Sequence, residues 1–591
     1  MSIHTFHIPV MGIGFTIDSP IKIAHLGISS AISLVDDILI ERMRELYSNK
    51  YDLPYSFVPH NEEDSRAKRI TAYLNTVNTI VNQKVSSFKE SVIKKRDELN
   101  QLIDILPPKS LLKENLIAAY KAKSNSLIYE TIEKYYKPGS IDVNIMTKLD
   151  KANYKGGEEL PAEYNDAHAA LRGFANSKLN SSVVLSAGMS PRLYSYIENF
   201  EDFYPDKEFN LKKRIILKVS DYRSAIVQGK MFAKKGLWVS EFRVESGLNC
   251  GGHAFATQGI LMGPILKEFS KNREELKSEL FEIYSNALKA KEKHVPANPP
   301  QMLLTAQGGV GTSEEHNFLL SKYNIDSVGW GSPFLLVPEA SSTDKETIDL
   351  LSNAKEDDFY LSDISPVGVR FNNVKGNSRD KDKESKISQG KPGAACTKNF
   401  LMLNKDSKNK PICTASRKYQ NQEIQKLNLS ELSKEEYKKK YDEITVKSCI
   451  CNGLGVSTLK AHNMDTKHEG DGVSVCPGPN LAYFTKKVSL KMMVNHIYGE
   501  TNIIEDPEKR PSMFAKELQM YVNYIKEELS NYQTPNSRKI KEWQKFITNL
   551  ELGANYCKEV ATQTKPNKLS SNLIKELTAE ISNIKEQIKK R

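Results

Sequence analysis

The sequence has no long hydrophobic run, and its 591 residues include only 3 tryptophans and 7 cysteines. No stretch approaches the roughly 18–20 apolar residues that a membrane span needs, so we expect no membrane partner. The amino-terminal residues lack the basic start and apolar core of a signal peptide, which predicts a cytoplasmic protein. An odd number of cysteines in a reducing compartment argues against a disulfide framework.

The chain also lacks a strong excess of one charge. Its 84 basic and 73 acidic residues give a formal net charge of +11. Much of that charge lies in mixed runs such as Ser433–Lys440 and Ile584–Arg591, with few aromatic residues between the charges. This pattern is typical of solvated helix faces and not of a nucleic-acid groove. We therefore predict no nucleic-acid partner.

The first 340 residues contain short apolar or β-branched runs separated by helical patterns. Such runs are typical of strands that are buried on both faces. The predicted strands are Phe6–Met11, Ile28–Leu34, Ile70–Asn75, Ser182–Ala187, Arg214–Ser220, Leu237–Val244, Met302–Ala306 and Ser327–Trp330. Eight strands alternating with helices predict a TIM (β/α)8 barrel, with a doubly wound sheet as the alternative.

The interval between the third and fourth predicted strands is too long for a single helix. Residues 100–180 contain two helical patterns, Ser110–Lys123 and Leu127–Tyr136. Loops at a barrel rim tolerate additions, so we predict a helical insertion after the third strand, over one rim of the barrel.

Past residue 345 the composition becomes more polar. We predict a TIM-barrel domain at 1–345, a loop-rich cap with a cysteine cluster at 346–485, and a helical region at 486–591. The polar segment Gly376–Ser385 is expected to be a mobile loop or linker. Helices are predicted at Leu490–Tyr498, Met513–Asn531, Lys539–Ala561 and Asn572–Lys589. The last has sparse apolar residues, so we expect it to pack lightly or to bind a partner in a homo-oligomer or larger complex.

Glycine-rich segments follow four of the predicted strands. They are Met11–Gly14, Glu245–His253, Gln307–Thr312 and Asp326–Phe334. Glycines at a strand end let backbone N–H groups approach an anion, and a following helix adds a favourable dipole. TIM barrels form their active sites at this end, often with a phosphate site after the last two strands. The sequence therefore predicts a phosphate site at Gly308, Gly309, Gly331 and Ser332.

These segments resemble the nitronate monooxygenases (2-nitropropane dioxygenase-like proteins) and their relatives, the FMN-dependent enoyl-thioester reductases. That family has a strand ending in Pro-Met, a Glu-Ala-Gly-Gly-His motif, an Ala-Gly-Gly-Ile turn and a Gly-Ala-Asp-x-Val-x-x-Gly-Thr motif. The matching segments here are Ile8–Met11, Asn249–His253, Gln307–Val310 and Ile325–Leu335. The resemblance covers residues 1–340. It departs at Cys250 and Ser332, where the family has alanine and threonine.

The resemblance implies an FMN-dependent oxidoreductase that acts on a small organic substrate, with His253 in proton transfer. It places the FMN phosphate on Gly308, Gly309, Gly331 and Ser332. It also places the flavin ring against Met11, Gly12 and Asn75. Lys218 would stabilise the reduced flavin as a fixed cation, with a structural ion pair as an equal alternative. His253 also has an alternative as a capping or packing residue.

Several activities remain open on this resemblance. A nitronate monooxygenase would reoxidise the flavin with dioxygen, whereas an enoyl-thioester reductase would take electrons from NAD(P)H. A non-catalytic flavin- or phosphate-binding barrel, acting as a subunit of a larger complex, is an alternative of another class. A flavin-free barrel that binds a sugar phosphate is a further one.

Five of the cysteines lie close together in sequence, at Cys396, Cys413, Cys449, Cys451 and Cys476. Clustered thiolates select zinc or iron–sulfur centres, which predicts a metal site in the cap. The spacing matches neither a zinc ribbon nor the bacterial ferredoxin run, although a cysteine followed by proline, as at Cys476, is similar to ferredoxin ligation. The alternative is a set of reduced, partly buried cysteines.

Overall fold

The computed structural model describes residues 3–249, 257–406, 409–532, 535–564 and 567–591. Eight parallel strands form a closed barrel in which each strand pairs with the next in sequence and the eighth pairs with the first. They are β1 (Phe6–Ile8), β2 (Ser29–Ser33), β3 (Ile141–Ile145), β4 (Ser181–Leu185), β5 (Lys213–Val219), β6 (Val239–Glu245), β7 (Leu303–Gln307) and β8 (Ser327–Gly329). The predicted TIM barrel is confirmed, and the doubly wound alternative is excluded because the sheet closes.

Helices connect the strands on the outside of the barrel. They are α1 (Ser19–Ile23), α2 (Asp37–Lys50), α3 (Ser65–Lys94), α4 (Arg96–Ile105), α5 (Leu111–Lys121), α6 (Asn125–Tyr135), α7 (Asp166–Ala175), α8 (Pro191–Ile197), α9 (Tyr222–Ala233), α10 (Met262–Ala290) and α11 (Ser313–Tyr323). Several begin directly after a strand at a residue whose side chain caps the helix. Asp36, Asp221 and Thr312 accept hydrogen bonds from backbone N–H groups in the first turns of α2, α9 and α11. These caps turn the chain from strand to helix at the carboxyl end of the barrel.

The predicted third strand, Ile70–Asn75, is wrong because those residues lie within α3. Their buried side chains continue a helical spacing through Tyr73, Leu74 and Val77, so the β-branched and aromatic composition was misleading. The third barrel strand is instead β3, whose sequence alternates apolar residues with Asp142 and Asn144. Such alternation is typical of a strand with one polar face, and here that face turns into the barrel.

The predicted insertion is correct in kind but wrong in position. Helices α5 and α6 coincide with the two predicted helical patterns, but they precede β3 and follow β2. The second half of residues 100–180 belongs to the barrel, because it contains β3 and α7. The extra helices therefore lie between the second and third strands.

The chain beyond the barrel folds over the barrel's carboxyl end. Its helices are α12 (Lys345–Asn353), α13 (Ser378–Ser388), α14 (Arg417–Asn428), α15 (Lys434–Thr445), α16 (Ile450–Ala461), α17 (Leu490–Tyr498), α18 (Met513–Asn531), α19 (Ser537–Thr564) and α20 (Lys568–Lys589). An antiparallel hairpin joins β9 (Phe359–Ser362) to β10 (Phe371–Val374). Two-residue strand pairs occur at Tyr154–Lys155 with Glu158–Glu159 and at Asn404–Lys405 with Pro411–Ile412.

Two predictions for this region are corrected. The polar segment expected to be a mobile loop is mostly α13, which Asn377 caps by accepting a hydrogen bond from Asp380 N. The terminal helix α20 does not pack lightly, since Ile574, Leu577 and Ile581 are buried among the helices α18 to α20. Partner binding through these helices stays a prediction. Within the described ranges, no helix combines the length and apolar content that crossing a membrane requires.

Candidate active site

A cavity of about 1360 Å³ lies at the carboxyl ends of β1 to β6. Its floor includes Gly12 after β1, Asn144 on β3, Lys218 on β5 and Glu245 on β6. The roof comes from the turn between β9 and β10, the first turn of α16, the end of α18 and the start of α19. Active sites of TIM barrels lie at this end, so the cavity is the candidate active site.

The carboxylate of Glu245 is the centre of the polar floor. Its Oε1 accepts hydrogen bonds from Lys218 Nζ at 3.2 Å, Asn249 Nδ2 at 2.9 Å and Gln307 Nε2 at 2.5 Å. Lys218 and Glu245 are both partly exposed to the cavity, at 15% and 21% of the side chain. A fixed cation and a carboxylate therefore face one ligand space, which suits charge stabilisation and proton transfer.

A second polar layer lies deeper in the barrel. The Glu241 carboxylate accepts hydrogen bonds from Arg243 Nε at 2.7 Å and from Thr305 Oγ1 at 2.5 Å. Burial raises the pKa of Glu241, and the Arg243 charge opposes that rise. This layer is enclosed, so it supports the floor residues and does not itself face the cavity.

The residues predicted for the flavin ring are only partly brought together. Gly12 lines the cavity, and the adjacent Met11 is fully buried. Asn75 is far from this end of the barrel, because it lies on α3 and accepts a hydrogen bond from Lys178 N just before β4. The residue at the end of the actual third strand is Asn144, which lines the cavity. Asn75 therefore does not lie at the cavity, because the third strand was predicted in the wrong place.

Asn144 also gives a test of whether a flavin ring fits. Its side chain is buried, and its Oδ1 accepts no hydrogen bond from any described residue. An unpaired buried oxygen beside a cavity is costly unless a ligand supplies a donor. A ring that carries N–H groups and apolar faces meets this requirement, because Leu401, Ile450 and Leu454 give the same cavity an apolar lining.

The predicted phosphate residues lie elsewhere. None of Gly308, Gly309, Gly331 and Ser332 is among the described residues that line the cavity. The Ser332 hydroxyl accepts a hydrogen bond from Gly478 N at 2.7 Å, and the Gly309 carbonyl accepts one from Arg510 Nη2 at 2.9 Å. Gly309 has a positive φ of 83°, and a side chain there would collide with Leu248. The chain's own carboxyl-terminal half thus covers the ends of β7 and β8.

Arg510 and Glu315 join that covering segment to the barrel. Arg510 donates to both carboxylate oxygens of Glu315 at 2.8 Å and to Asn480 Oδ1 at 2.9 Å. Glu315 also accepts hydrogen bonds from Gly311 N and Met513 N, at 2.9 and 2.7 Å. Sequence analysis missed this pair because Glu315 and Arg510 are 195 positions apart.

His253, the predicted proton-transfer residue, and Cys250 lie outside the described residues. The described residues nearest to this segment include Asn249 and Gln258, and both line the cavity. Glu517 on α18 contacts the start of α10, where its Oε2 accepts a hydrogen bond from Met262 N at 3.0 Å. Burial raises the pKa of Glu517 to about 7.

The cavity carries more positive than negative charge. Seven basic side chains line it: Lys148, Lys218, Arg370, Arg538, Lys539, Lys541 and Lys545. Three acidic side chains line it: Glu245, Glu528 and Glu542. Such a surplus favours a ligand that carries phosphate or carboxylate groups. The sequence shows the cluster of basic residues at the start of α19, but it does not indicate that this helix lies over the barrel.

Four of the five clustered cysteines converge. Cys449 and Cys451, at the start of α16, have their Sγ atoms 3.8 Å apart. The Cys451 thiol lowers the pKa of Cys449 to about 6, with Arg379 and Lys398 adding to that effect against burial. Cys396 and Cys413 interact with each other and, electrostatically, with the other pair. Cys476 is buried two residues before Gly478, beside β8.

The predicted metal site has no direct support in the geometry. Throughout the described ranges, no group of three or more His, Cys, Asp or Glu side chains is arranged to hold a metal ion. Zinc and iron–sulfur ligation by these cysteines stay predictions.

Comparison with known proteins adds little. No protein-family model matches the chain. No curated protein matches it either. Solved structures that it resembles include the enoyl reductase domain of MlnA from the macrolactin biosynthesis cluster of Bacillus amyloliquefaciens, at 13% identity and a TM-score of 0.34, over 64% of this chain and 85% of that one. At that similarity the likeness carries no functional argument, and the barrel rests on its own strand order.

Proposed function

We propose that the protein is an FMN-dependent oxidoreductase whose flavin ring binds in the cavity at the carboxyl ends of β1 to β6. The unpaired oxygen of Asn144, in the cavity that Gly12 and Lys218 also line, carries this proposal, because it needs a donor from a ligand. The resemblance of the glycine segments to the flavin-binding family supports it. Bound FMN would supply two-electron redox chemistry, with Lys218 as the cation near the ring.

The roles of the other residues follow from their positions. Asn249 and Gln258 bring the chain to the cavity wall on either side of the segment that contains His253, which makes this histidine the proposed proton-transfer group. Glu245 orients Lys218 and Asn249 through its hydrogen bonds. The FMN phosphate is proposed to bind basic side chains of the cavity, since Ser332 and Gly309 are bonded to the carboxyl-terminal half.

Between the two activities, the cavity favours reduction of a conjugated thioester over oxidation of a nitronate. Ligand pockets commonly measure roughly 300–1,000 Å³, and this cavity exceeds that range. A flavin with a small nitronate would leave much of it unfilled. The basic lining also suits NAD(P)H and a phosphate-bearing thioester better than a small neutral substrate.

The test is FMN binding followed by turnover. Purified protein is incubated with FMN, desalted and examined by absorbance spectroscopy, and then assayed anaerobically with NADPH and a crotonyl thioester. We expect bound flavin, its reduction by NADPH and its reoxidation by the thioester. His253→Ala should lower kcat/KM by about 100-fold while FMN binding is unchanged.

The matched control is His294→Ala, because His294 is exposed and lies away from the cavity. It should behave as the wild type. Turnover of a nitronate with dioxygen, and not of the thioester, would favour the monooxygenase activity. Flavin binding without any turnover would support the non-catalytic alternative, and absence of flavin uptake would overturn the proposal.

A further inference from the structure

The four converging cysteines lead from the protein surface to the cavity. Cys396 is partly exposed, whereas Cys413, Cys449 and Cys451 are buried. The segment of Cys396 is bonded to those of Cys413 and Cys451, because Ala394 N donates to Ala415 O at 3.1 Å. Asn452 Nδ2 also donates to Thr397 Oγ1 at 3.1 Å. Cys449 lies 3.8 Å from Cys451, which lines the cavity. The four cysteines therefore lie on adjoining segments, with Cys396 accessible from outside and Cys451 at the ligand space.

The geometry points to a thiol–disulfide relay. We propose that Cys396 with Cys413, and Cys449 with Cys451, are two redox-active pairs that carry electrons from an external dithiol to the ligand in the cavity. The two sulfur atoms of the inner pair are already in contact, so a disulfide of about 2.05 Å requires only local side-chain movement.

The relay consists of three steps, and each of them transfers two electrons. Cys449 and Cys451 form a disulfide and give two electrons and two protons to an oxidised flavin in the cavity, a step that rests on the proposed function. The Cys396–Cys413 dithiol then reduces that disulfide by thiol–disulfide exchange and becomes oxidised. An external dithiol finally reduces the Cys396–Cys413 disulfide, and its own two thiols become a disulfide.

The first experiment measures the thiols alone and does not depend on flavin. The full chain is equilibrated with oxidised glutathione, denatured, alkylated and analysed by peptide mass spectrometry. We expect two disulfides, Cys396–Cys413 and Cys449–Cys451, while Cys476 and Cys557 are alkylated. Cys557→Ser, a buried cysteine on α19, is the matched control and should leave both disulfides intact.

Two results of this experiment would overturn the relay. One is complete alkylation of all four cysteines under conditions that oxidise thioredoxin. The other is isolation of the protein with a stoichiometric zinc or iron that blocks alkylation, since the thiols would then be metal ligands.

The second experiment tests electron delivery in the FMN-loaded protein without oxygen. Dithiothreitol should bleach the flavin absorbance, and Cys451→Ser should slow this by at least about tenfold, while dithionite bleaches both proteins. Equal rates in the variant and the wild type would contradict the relay. A protein that takes up no flavin would refute the proposed function and leave the relay to be judged on the disulfides.

Discussion

Replacing Arg510 with methionine is expected to lower the free energy of unfolding by about 3–5 kcal/mol, the usual cost of breaking a buried ion pair. The Arg510 side chain is 4% exposed and that of Glu315 is 13% exposed. The substitution leaves the Glu315 carboxylate buried without its cation, and leaves the Gly309 carbonyl and Asn480 without a donor. The segment that covers the ends of β7 and β8 should therefore detach more readily.

The measurement is urea denaturation combined with hydrogen exchange. The denaturation midpoint should fall, and protection should be lost first in α18, whose Met513 N donates to Glu315. Arg538→Met is the control, because Arg538 is 89% exposed and its pair with Glu542 should contribute at most about 1 kcal/mol. The double variant Glu315→Gln with Arg510→Met should recover part of the loss. Equal effects of the two arginine variants would contradict the assigned role.

Replacing Glu517 with glutamine is expected to remove a pH-dependent loss of stability. In the folded protein, burial raises the pKa of this carboxyl from its ordinary value of 4.5 to about 7. Below pH 4.5 the group is protonated in both states and contributes nothing to the pH dependence. Between pH 4.5 and 7 the Glu517 carboxyl ionises in the unfolded chain but stays protonated in the folded protein. The free energy of unfolding therefore falls across this range, by a total of about 3 kcal/mol above pH 7.

Thermal or urea unfolding at several pH values measures this effect. The glutamine variant should match the wild type near pH 5 and exceed its unfolding free energy by about 3 kcal/mol near pH 8. The amide oxygen can still accept the hydrogen bond from Met262 N. Glu505→Gln, at an exposed glutamate, should change nothing at either pH. A difference between variant and wild type that does not depend on pH would show that burial does not raise this pKa.

Much of the fold could be predicted from the sequence, and the main exception is the third barrel strand. Seven of the eight barrel strands coincide with predicted ones, and α17 and α18 begin and end at the predicted residues. The failure at β3 arose because a strand facing a polar barrel interior alternates polar and apolar residues, as Asp142 and Asn144 do. Because β3 is not a continuous apolar run, the apolar pattern did not predict it and predicted Ile70–Asn75 as the third strand instead.

The candidate site was less accessible to prediction. Gly12 and Lys218 line the cavity as the strand ends suggested. Gly308 and Gly309 after β7 have positive φ values. Arg510 and Gly478, from distant parts of the chain, nevertheless bind at the ends of β7 and β8. Local composition indicates that a strand end can bind an anion, and it does not indicate whether another segment already covers that end.

By itself the sequence determined the barrel, because short buried strands and intervening helices have periodicities that local residues impose. It also determined which strand ends carry glycine, lysine and carboxylate groups. Only the tertiary structure decided that Asn144 lines the cavity, that the carboxyl-terminal helices roof it, and that Cys451 meets Cys449 at its wall. Those arrangements depend on contacts between residues that are far apart in the chain. Such contacts are stabilised by burial and pairing in the folded state, so no local sequence pattern reveals them.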